Sequence, residues 1–292
     1  MLRLKKLVIL EDKNVLGNLP KGKLLINTIN AHSYNTALKD ELFAEALIKG
    51  DVLIPDGASI VMACKFLKAK SRPKERIAGW DLFVHEMGEL NVESLGLSVE
   101  GDSSRAQNDR TDDDGNVEGL GVSVEGDSSQ AQNIESLGFR GERRKKRVMF
   151  LGSSEKVLAL IKERAAVDYP NVEVVTYSPP YKPEFTDEEN VEMVRAINEA
   201  KPDLLWIGMT APKQEKWTYK HWGELDIDCH VGTIGAVFDF YAGTMKRAPL
   251  WWQEHSLEWL YRLLKEPKRM WRRYLVGNVL FMWNVVKLKV KS

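Results

Sequence analysis

Hydrophobic and polar positions alternate along this chain as short apolar runs separated by longer amphipathic stretches. The short runs are bounded by Gly, Pro, Asn or Asp, which is typical of buried strands. The longer stretches repeat apolar residues three and four positions apart, which is typical of helices with one buried face. The predicted strands are Lys23–Asn27, Asp51–Ile54, Arg147–Leu151, Val172–Tyr177, Asp203–Ile207 and Cys229–Val231. The predicted helices are Tyr34–Lys49, Ser59–Leu67, Glu155–Asp168, Asp187–Ala200 and Lys213–Trp222.

This strand-helix alternation predicts an α/β fold, with a mostly parallel, Rossmann-like sheet and helices on both of its faces. With 292 residues, 43% of them hydrophobic, the chain is long enough for one or two domains with a substantial core. Parallel sheets of this kind bind ligands at the carboxyl ends of their strands. The loops that follow Asn27, Ile54, Leu151, Ile207 and Val231 are therefore the predicted site.

Residues 92–142 interrupt this alternation of strands and helices. The text ESLGLSVEGDSSRAQN, which begins at Glu93, returns as EGLGVSVEGDSSQAQN at Glu118. The segment has twelve acidic residues against three arginines, and it has few large apolar residues to offset the entropy of ordering. We predict a mobile insertion in a core of residues 1–245; the alternative is a pair of short hairpins used for binding.

Residues 246–292 are basic, with eleven Lys and Arg against three Glu, and hold five of the nine tryptophans. Interleaved Trp and Arg suit a membrane interface, so we predict a helical appendage that binds an anionic membrane surface. An amphipathic helix packed on the core is the alternative. Aromatic and basic residues also suit single-stranded nucleic acid, but no nucleic-acid module is recognisable and we expect no such partner. The apolar run Leu275–Val286 is too short to span a bilayer.

Several of the strand-end loops carry polar residues that could bind a substrate. Thr28 and Asn30 could grip a sugar or phosphate, or Asn30 could simply cap a helix. Asp56, in Pro55-Asp56-Gly57, could accept a proton from a hydroxyl, although Asp-Gly is also an ordinary turn pair. Gly208 ends a strand, and Gln214 lies in the first turn of the next helix, which suits a nucleotide or sugar contact.

No strong metal signature accompanies these residues. Asp226-Ile227-Asp228 has a D-x-D form, but it precedes a strand, and we expect both aspartates to be polar residues on the protein surface. The two cysteines, Cys64 and Cys229, are far apart in sequence and fit no metal spacing. We expect both to be buried and reduced, as in a cytoplasmic protein.

Together these stretches resemble a bacterial family of N-acetylmannosaminyltransferases that build teichoic-acid linkage units, enterobacterial common antigen and capsules. The resemblance covers nearly all of the chain outside 92–142. The matching text is TINAH at Thr28, LIPDG at Leu53, ERIAGWDL at Glu75, FLGSS at Phe150, APKQEKW at Ala211, Phe238-Asp239 with Ala242-Gly243, Arg247-Ala248-Pro249 and EWLYRLLKEPKRMWRRY at Glu258.

The resemblance implies an inverting transfer of N-acetylmannosamine or a related hexose from a UDP-sugar. The acceptor would be N-acetylglucosamine linked to undecaprenyl diphosphate at the inner face of the plasma membrane, with no cofactor and no metal. Asp56 matches the family's general base, and Thr28, Asn30 and Gln214 match substrate-site residues. Arg262, Arg269 and Arg272 match arginines of an appendage that closes over the active site and engages diphosphate. Their spacing of seven and three also predicts that they share one helix face.

The chain departs from the family's pattern in two places. Thr210 occupies a position where many members have a second glycine, which puts the donor contacts in doubt. The insertion is foreign to the pattern and could perturb a contact in a homo-oligomer, an assembly that we leave open. A non-catalytic protein that binds a nucleotide sugar or a lipid diphosphate is the alternative to an enzyme. An NAD-dependent oxidoreductase is disfavoured because no G-x-G-x-x-G follows the first strand.

Overall fold

The computed structural model describes residues 2–95, 144–255 and 257–290, without the side chains of Leu250, Glu254 and Arg269. Its centre is a six-stranded sheet in the order β2-β1-β6-β5-β3-β4, in which all neighbouring strands are parallel. The strands are β1 Leu24–Ile29, β2 Val52–Pro55, β3 Lys146–Gly152, β4 Val172–Tyr177, β5 Leu204–Gly208 and β6 His230–Thr233. The predicted Rossmann-like α/β fold is confirmed.

Helices cover both faces of the sheet and continue beyond it. Those that follow the first two strands are α1 Ala31–Ala37, α2 Glu41–Lys49, α3 Ala58–Leu67 and α4 Gly79–Ser94. Those of the second half are α5 Glu155–Asp168, α6 Asp187–Ala200, α7 Lys213–His221 and α8 Gly235–Tyr241. The predicted helical C-terminal part contains α9 Leu250–Glu254, α10 Glu258–Lys265, α11 Pro267–Trp271, a π-helical turn Arg272–Val276 and α12 Gly277–Val290.

Alternate residues of the central strands belong to different cores, because successive side chains of a strand point to opposite faces. On β3 and β5, Phe150 and Trp206 join the core under α4, α5 and α8. Leu151 and Ile207 join the core under α6 and α7. Both faces of the sheet are therefore buried at these strands, which explains why their sequences are continuous apolar runs.

The last helix, α12, packs beside the β2 edge of the sheet. Phe281 and Val285 are buried in one cluster with residues of α1, α2 and α3. The ring of Phe281 meets the ring of Tyr34 edge-on at 5.6 Å between centroids. The Nδ2 of Asn35 donates to the carbonyl of Gly277 at 2.8 Å. The core thus holds the end of the appendage, as the alternative interpretation of this helix proposed, although only one of its sides is buried.

Two features of the sequence prediction need correction. The single helix predicted over 34–49 is two helices: α1 ends at Ala37, and Asp40 caps α2 by accepting a hydrogen bond from the Phe43 N–H. Helix α4 was missed, and it continues through Ser94. Residues 92–94 of the predicted insertion are therefore the last turn of a helix, whereas residues 96–143 lie outside the described residues.

Candidate functional site

The loops that leave β1 and β2 lie side by side at the carboxyl edge of the sheet. Thr28 pairs with Ile54 and Ile29 with Pro55, so the next residues, Asn30 and Asp56, emerge together. A side chain at Gly57 would approach the Cβ of Asn30 at 3.4 Å. The parallel register thus brings together two of the predicted site residues.

Asn30 caps α1, as the alternative to substrate binding proposed. Its Oδ1 accepts hydrogen bonds from the N–H groups of His32 and Ser33, both at 3.0 Å. Thr28 lies within β1, because the strand runs two residues further than predicted, and it is not part of the loop. A direct contact of either residue with substrate stays a prediction.

Asp56 occupies the turn between β2 and α3, where it contacts Arg76. The Nη2 of Arg76, which precedes α4, lies 3.4 Å from its Oδ1. Burial raises the pKa of Asp56; the positive charges of Arg76 and Arg262 oppose the shift, and the nearby carboxylate of Glu258 adds to it. The side chain keeps 28% of its surface exposed, so a substrate hydroxyl can reach it.

Gln214 connects two loops at the same edge. Its Oε1 accepts from the N–H groups of Met209 and Gly235, both at 3.2 Å, and its Nε2 donates to Glu215 at 2.9 Å. Gln214 is only 3% exposed, and the hydrogen bonds of its side chain are made within the protein. A contact between Gln214 and substrate therefore stays a prediction.

Gly208 ends β5 where the chain has no room for a side chain. A Cβ here would lie 2.5 Å from the ring of Phe238, and one at Gly152, which has φ +125°, would lie 2.3 Å from the Gly208 carbonyl oxygen. Packing thus accounts for both glycines. The predicted substrate contact at Gly208 is not tested by this geometry.

The appendage arginines do not share one helix face, so that prediction is wrong. Helix α10 ends before Glu266, whose φ of −131° and ψ of 62° are not helical, and Pro267 starts the next helix. A residue before proline disfavours the helical conformation, which explains the break. Arg272 is exposed, with its guanidinium 5.3 Å from the Trp271 ring centroid. The side chain of Arg269 lies outside the described part.

Arg262 does reach the site. Its Nη2 donates to Oε1 of Glu258 at 2.8 Å, and its guanidinium lies 4.6 Å from the ring centroid of Phe240 on α8. Oε2 of Glu258 accepts from Arg76 at 3.0 Å. The structure therefore places Asp56, Arg76, Glu258 and Arg262 in one connected cluster, which we call the Asp56 cluster.

Sequence reasoning assigned no role to Arg76 or Glu258, although both lie in quoted motifs. The available signal was the spacing of Glu258 and Arg262, which are four residues apart and so pair on a helix. That pairing predicts a local ion pair only. The approach of Arg76, 182 residues away in sequence, depends on how α10 packs against the core.

No group of three or more His, Cys, Asp and Glu side chains that could hold a metal ion occurs in the described ranges. Asp226 and Asp228 are exposed, as predicted for surface polar residues. Cys64 and Cys229 are buried and unbridged, as expected. Burial raises the pKa of Cys64 to about 11 and that of Cys229 to about 12, so both are protonated at neutral pH.

The Asp56 cluster lies at the carboxyl edge of a parallel sheet, which is where open α/β folds bind their ligands. The chain belongs to the glycosyl transferase WecG/TagA/CpsF family, whose model matches residues 13–108 and 120–292. It is accordingly a glycosyltransferase.

Relatives agree with this assignment. An N-acetylglucosaminyldiphosphoundecaprenol N-acetyl-beta-D-mannosaminyltransferase of Bacillus subtilis (strain 168) is 24% identical over 251 residues, which cover 86% of this chain and 75% of the relative. A protein of the same name from Bacillus spizizenii is 27% identical over 256 residues, covering 87% and 76%. One from Staphylococcus aureus (strain MW2) is 30% identical over 146 residues, covering 50% and 54%.

Proposed function

We propose that this glycosyltransferase moves N-acetylmannosamine, or a related hexose, from a UDP-sugar to N-acetylglucosamine linked to undecaprenyl diphosphate, with inversion at the anomeric carbon. The names of the relatives support the acceptor and the sugar. The observation that carries the proposal is the Asp56 cluster, which combines an accessible carboxyl group with guanidinium groups at the carboxyl edge of the sheet.

In this reaction Asp56 acts as the general base. It accepts the proton of the acceptor hydroxyl while that oxygen forms a bond to the anomeric carbon, and the bond to the UDP oxygen breaks with its electron pair. Burial supports the role because it raises the pKa of Asp56 towards the range in which a base works best.

The leaving diphosphate gains negative charge as the glycosidic bond breaks. Arg76 and Arg262 supply fixed positive charge close to Asp56, and guanidinium groups bind phosphate oxygens in pairs. Removing one such group from a preorganised site typically costs about 3 kcal/mol of transition-state stabilisation. Arg269 and Arg272 of the appendage, with Thr28, Asn30, Gly208 and Gln214 of the core, are the further substrate contacts that we propose.

An apolar surface on the appendage supports attachment to the membrane that holds the acceptor. A shallow groove is lined by Trp271, Leu275, Val276, Val279, Leu280 and Trp283. We call these six residues the apolar groove. No helix among the described residues is long and apolar enough to cross a membrane. We propose peripheral binding to the anionic inner face of the plasma membrane.

A donor panel tests the function. Purified protein is mixed with each of several UDP-hexoses and a soluble prenyl-diphosphate-N-acetylglucosamine, and products are identified by mass. We expect a disaccharide product and UDP release that depends on the acceptor. Binding of donor or acceptor without turnover under any condition would instead favour the alternative, a non-catalytic protein that binds a nucleotide sugar or a lipid diphosphate.

A further inference from the structure

Glu258 is a buried carboxylate that joins the appendage to the core. Its side chain keeps 9% of its surface exposed. One oxygen accepts from Arg262, on the same helix, at 2.8 Å, and the other accepts from Arg76 of the core at 3.0 Å. Each carboxylate oxygen thus holds a different arginine.

The surroundings of Glu258 keep it ionised. Burial alone would raise its pKa, but Arg262, Arg76 and Arg247 outweigh burial, and the pKa is lowered from its ordinary value. The other acids facing the same arginines are Asp56 and, near Arg76, Asp81 of α4. A buried charge is costly unless it is paired, and here two guanidinium groups pair with it directly.

Glu258 and Asp56 compete for one nitrogen atom. The Nη2 of Arg76 lies 3.0 Å from Glu258 but 3.4 Å from Asp56. The shorter contact is to Glu258, so Arg76 does not close fully on Asp56. A base that is tightly paired with an arginine loses proton affinity, because the positive charge favours its ionised form.

We propose that Glu258 is a positioning residue for the transfer reaction: it holds Arg76 back from Asp56 and fixes Arg262 by an ion pair within the same cluster, so that the docked appendage keeps Asp56 available as the proton acceptor. The inference rests on the proposed function in taking Asp56 as the base. It goes beyond that function in assigning a role to an acidic residue of the appendage.

The test compares Glu258→Gln with Glu258→Asp and with the matched control Glu173→Gln. Glu173 pairs with Arg147 at 2.9 Å on β4, the edge strand furthest along the sheet from β2. Turnover and KM are measured from pH 5 to 9, with the melting temperature of each variant as a check of folding.

We expect Glu258→Gln to lower kcat by about tenfold or more, which is about 1.4 kcal/mol in activation free energy. The rising limb of its pH profile should move to lower pH, because Asp56 loses a negative neighbour and gains the full charge of Arg76. Glu258→Asp should restore part of both properties, and Glu173→Gln should match the unmodified enzyme. The inference would be overturned if kcat fell only in proportion to the melting temperature of each variant and the rising limb of the pH profile stayed at the same pH. That result would show that Glu258 has only a structural role.

A second measurement separates this inference from the proposed function. The carboxyl carbon of Asp56 is titrated by carbon-13 NMR without substrate in the unmodified protein, in Glu258→Gln and in Glu258→Asp. We expect the pKa of Asp56 to be lower in Glu258→Gln and intermediate in Glu258→Asp, which also covers the case that the Gln variant does not fold. That result in a protein without transfer activity would reject the function and keep the coupling. Equal pKa values in all folded variants would reject the coupling whatever the activity.

Discussion

At the scale of single residues, the Asp56 cluster combines two needs of the proposed chemistry. A general base needs a pKa near the working pH, and burial moves the pKa of Asp56 in that direction. A leaving diphosphate needs positive charge, which lowers the pKa of the same carboxyl group. In our proposal Glu258 makes both possible, because its negative charge offsets part of the positive charge that Arg76 and Arg262 exert on Asp56.

Replacing Asp56 by Asn tests the base. We expect turnover to fall by about a hundredfold or more while donor affinity stays nearly unchanged, since an amide of the same shape cannot accept the proton. Steady-state kinetics with an unactivated acceptor and calorimetric binding of the donor measure the two effects. Asp228→Asn, at an exposed position, is the control. Near-normal turnover in Asp56→Asn would show that another group is the base.

Glu215, next to Gln214, is a second unusual carboxyl group. It is 1% exposed, and only one of its oxygens has a hydrogen-bond partner among the described residues. Burial raises its pKa from 4.5 to about 7. The folded protein therefore binds this proton more tightly than the unfolded chain does, and the free energy of unfolding falls as pH rises from 4.5 to 7.

We expect Glu215→Gln to lose this dependence. The unfolding free energy of the variant relative to the unmodified protein should rise by about 3 kcal/mol between pH 4.5 and pH 8, because the neutral amide has no proton to lose. Urea unfolding at several pH values measures it. Glu163→Gln, an exposed position on α5, should show no such change. An unaltered pH dependence in Glu215→Gln would mean that Glu215 ionises freely in the folded protein.

At the scale of elements, local signals predicted the second half of the core well. Helix α6 was predicted with its exact bounds, and it begins with a capping box between Thr186 and Glu189. The break between α1 and α2 was missed because apolar residues with helical spacing continue across Asp40. Periodicity alone does not detect a polar residue that caps a new helix within such a stretch.

The candidate site was only half predictable. Asp56 and Asn30 could be predicted because each directly follows a buried strand, and parallel strands bring such residues to one edge. Arg76 precedes α4, which was not predicted, and Glu258 belongs to an appendage whose docking no local pattern encodes. Packing between distant parts of the chain decides which charged residues come into contact, so the Asp56 cluster could not be predicted without the structure.

The appendage has two different sides. Phe281 and Val285 of α12 are buried on the core, whereas Val279 and Trp283 are 72% and 58% exposed. An apolar surface with basic residues around it suits a headgroup region, where tryptophan rings and basic side chains both find favourable surroundings. One side of α12 thus packs on the core, and membrane binding by the other side stays a prediction.

Replacing Val279 and Trp283 together by Ser tests membrane attachment without disturbing the buried side. We expect binding to anionic vesicles to weaken by about tenfold or more, since each large apolar side chain contributes about 1.5–3 kcal/mol on burial. Co-sedimentation measures it. The control pair, Val167→Ser and Val191→Ser, changes exposed valines of α5 and α6. If the groove variant sedimented like the unmodified protein, the apolar groove would not be the membrane contact.

At the scale of the whole molecule, the two edges of the sheet carry different features. Asp56 follows the carboxyl end of β2. The described chain on either side of residues 96–143 ends with α4 and resumes before β3, at the amino edge. There the Nζ of Lys146 lies 3.7 Å from Oε2 of Glu93, and His230, at the start of β6, hydrogen-bonds Glu86 of α4 at 3.0 Å. The duplicated segment therefore joins the core at the edge opposite the candidate site.

Deleting residues 96–143 should for this reason leave both the fold and the transfer reaction intact. The contact between Lys146 and Glu93 shows that the flanking ends lie close together, so a bridge of about six Gly and Ser residues can connect them. Shortening the connection about eightfold lowers the entropy cost of closing it by about 2 kcal/mol, so the deletion variant should be as stable as the full chain or slightly more stable.

Urea unfolding, turnover and light scattering on a sizing column measure stability, activity and oligomeric state. A chain of equal length with the segment scrambled is the control, and it should behave like the full chain. A folded but inactive deletion variant, or one with a changed oligomeric state, would show that the segment shapes the site or a subunit contact. An insoluble deletion variant beside a soluble scrambled one would show that the segment packs on the core.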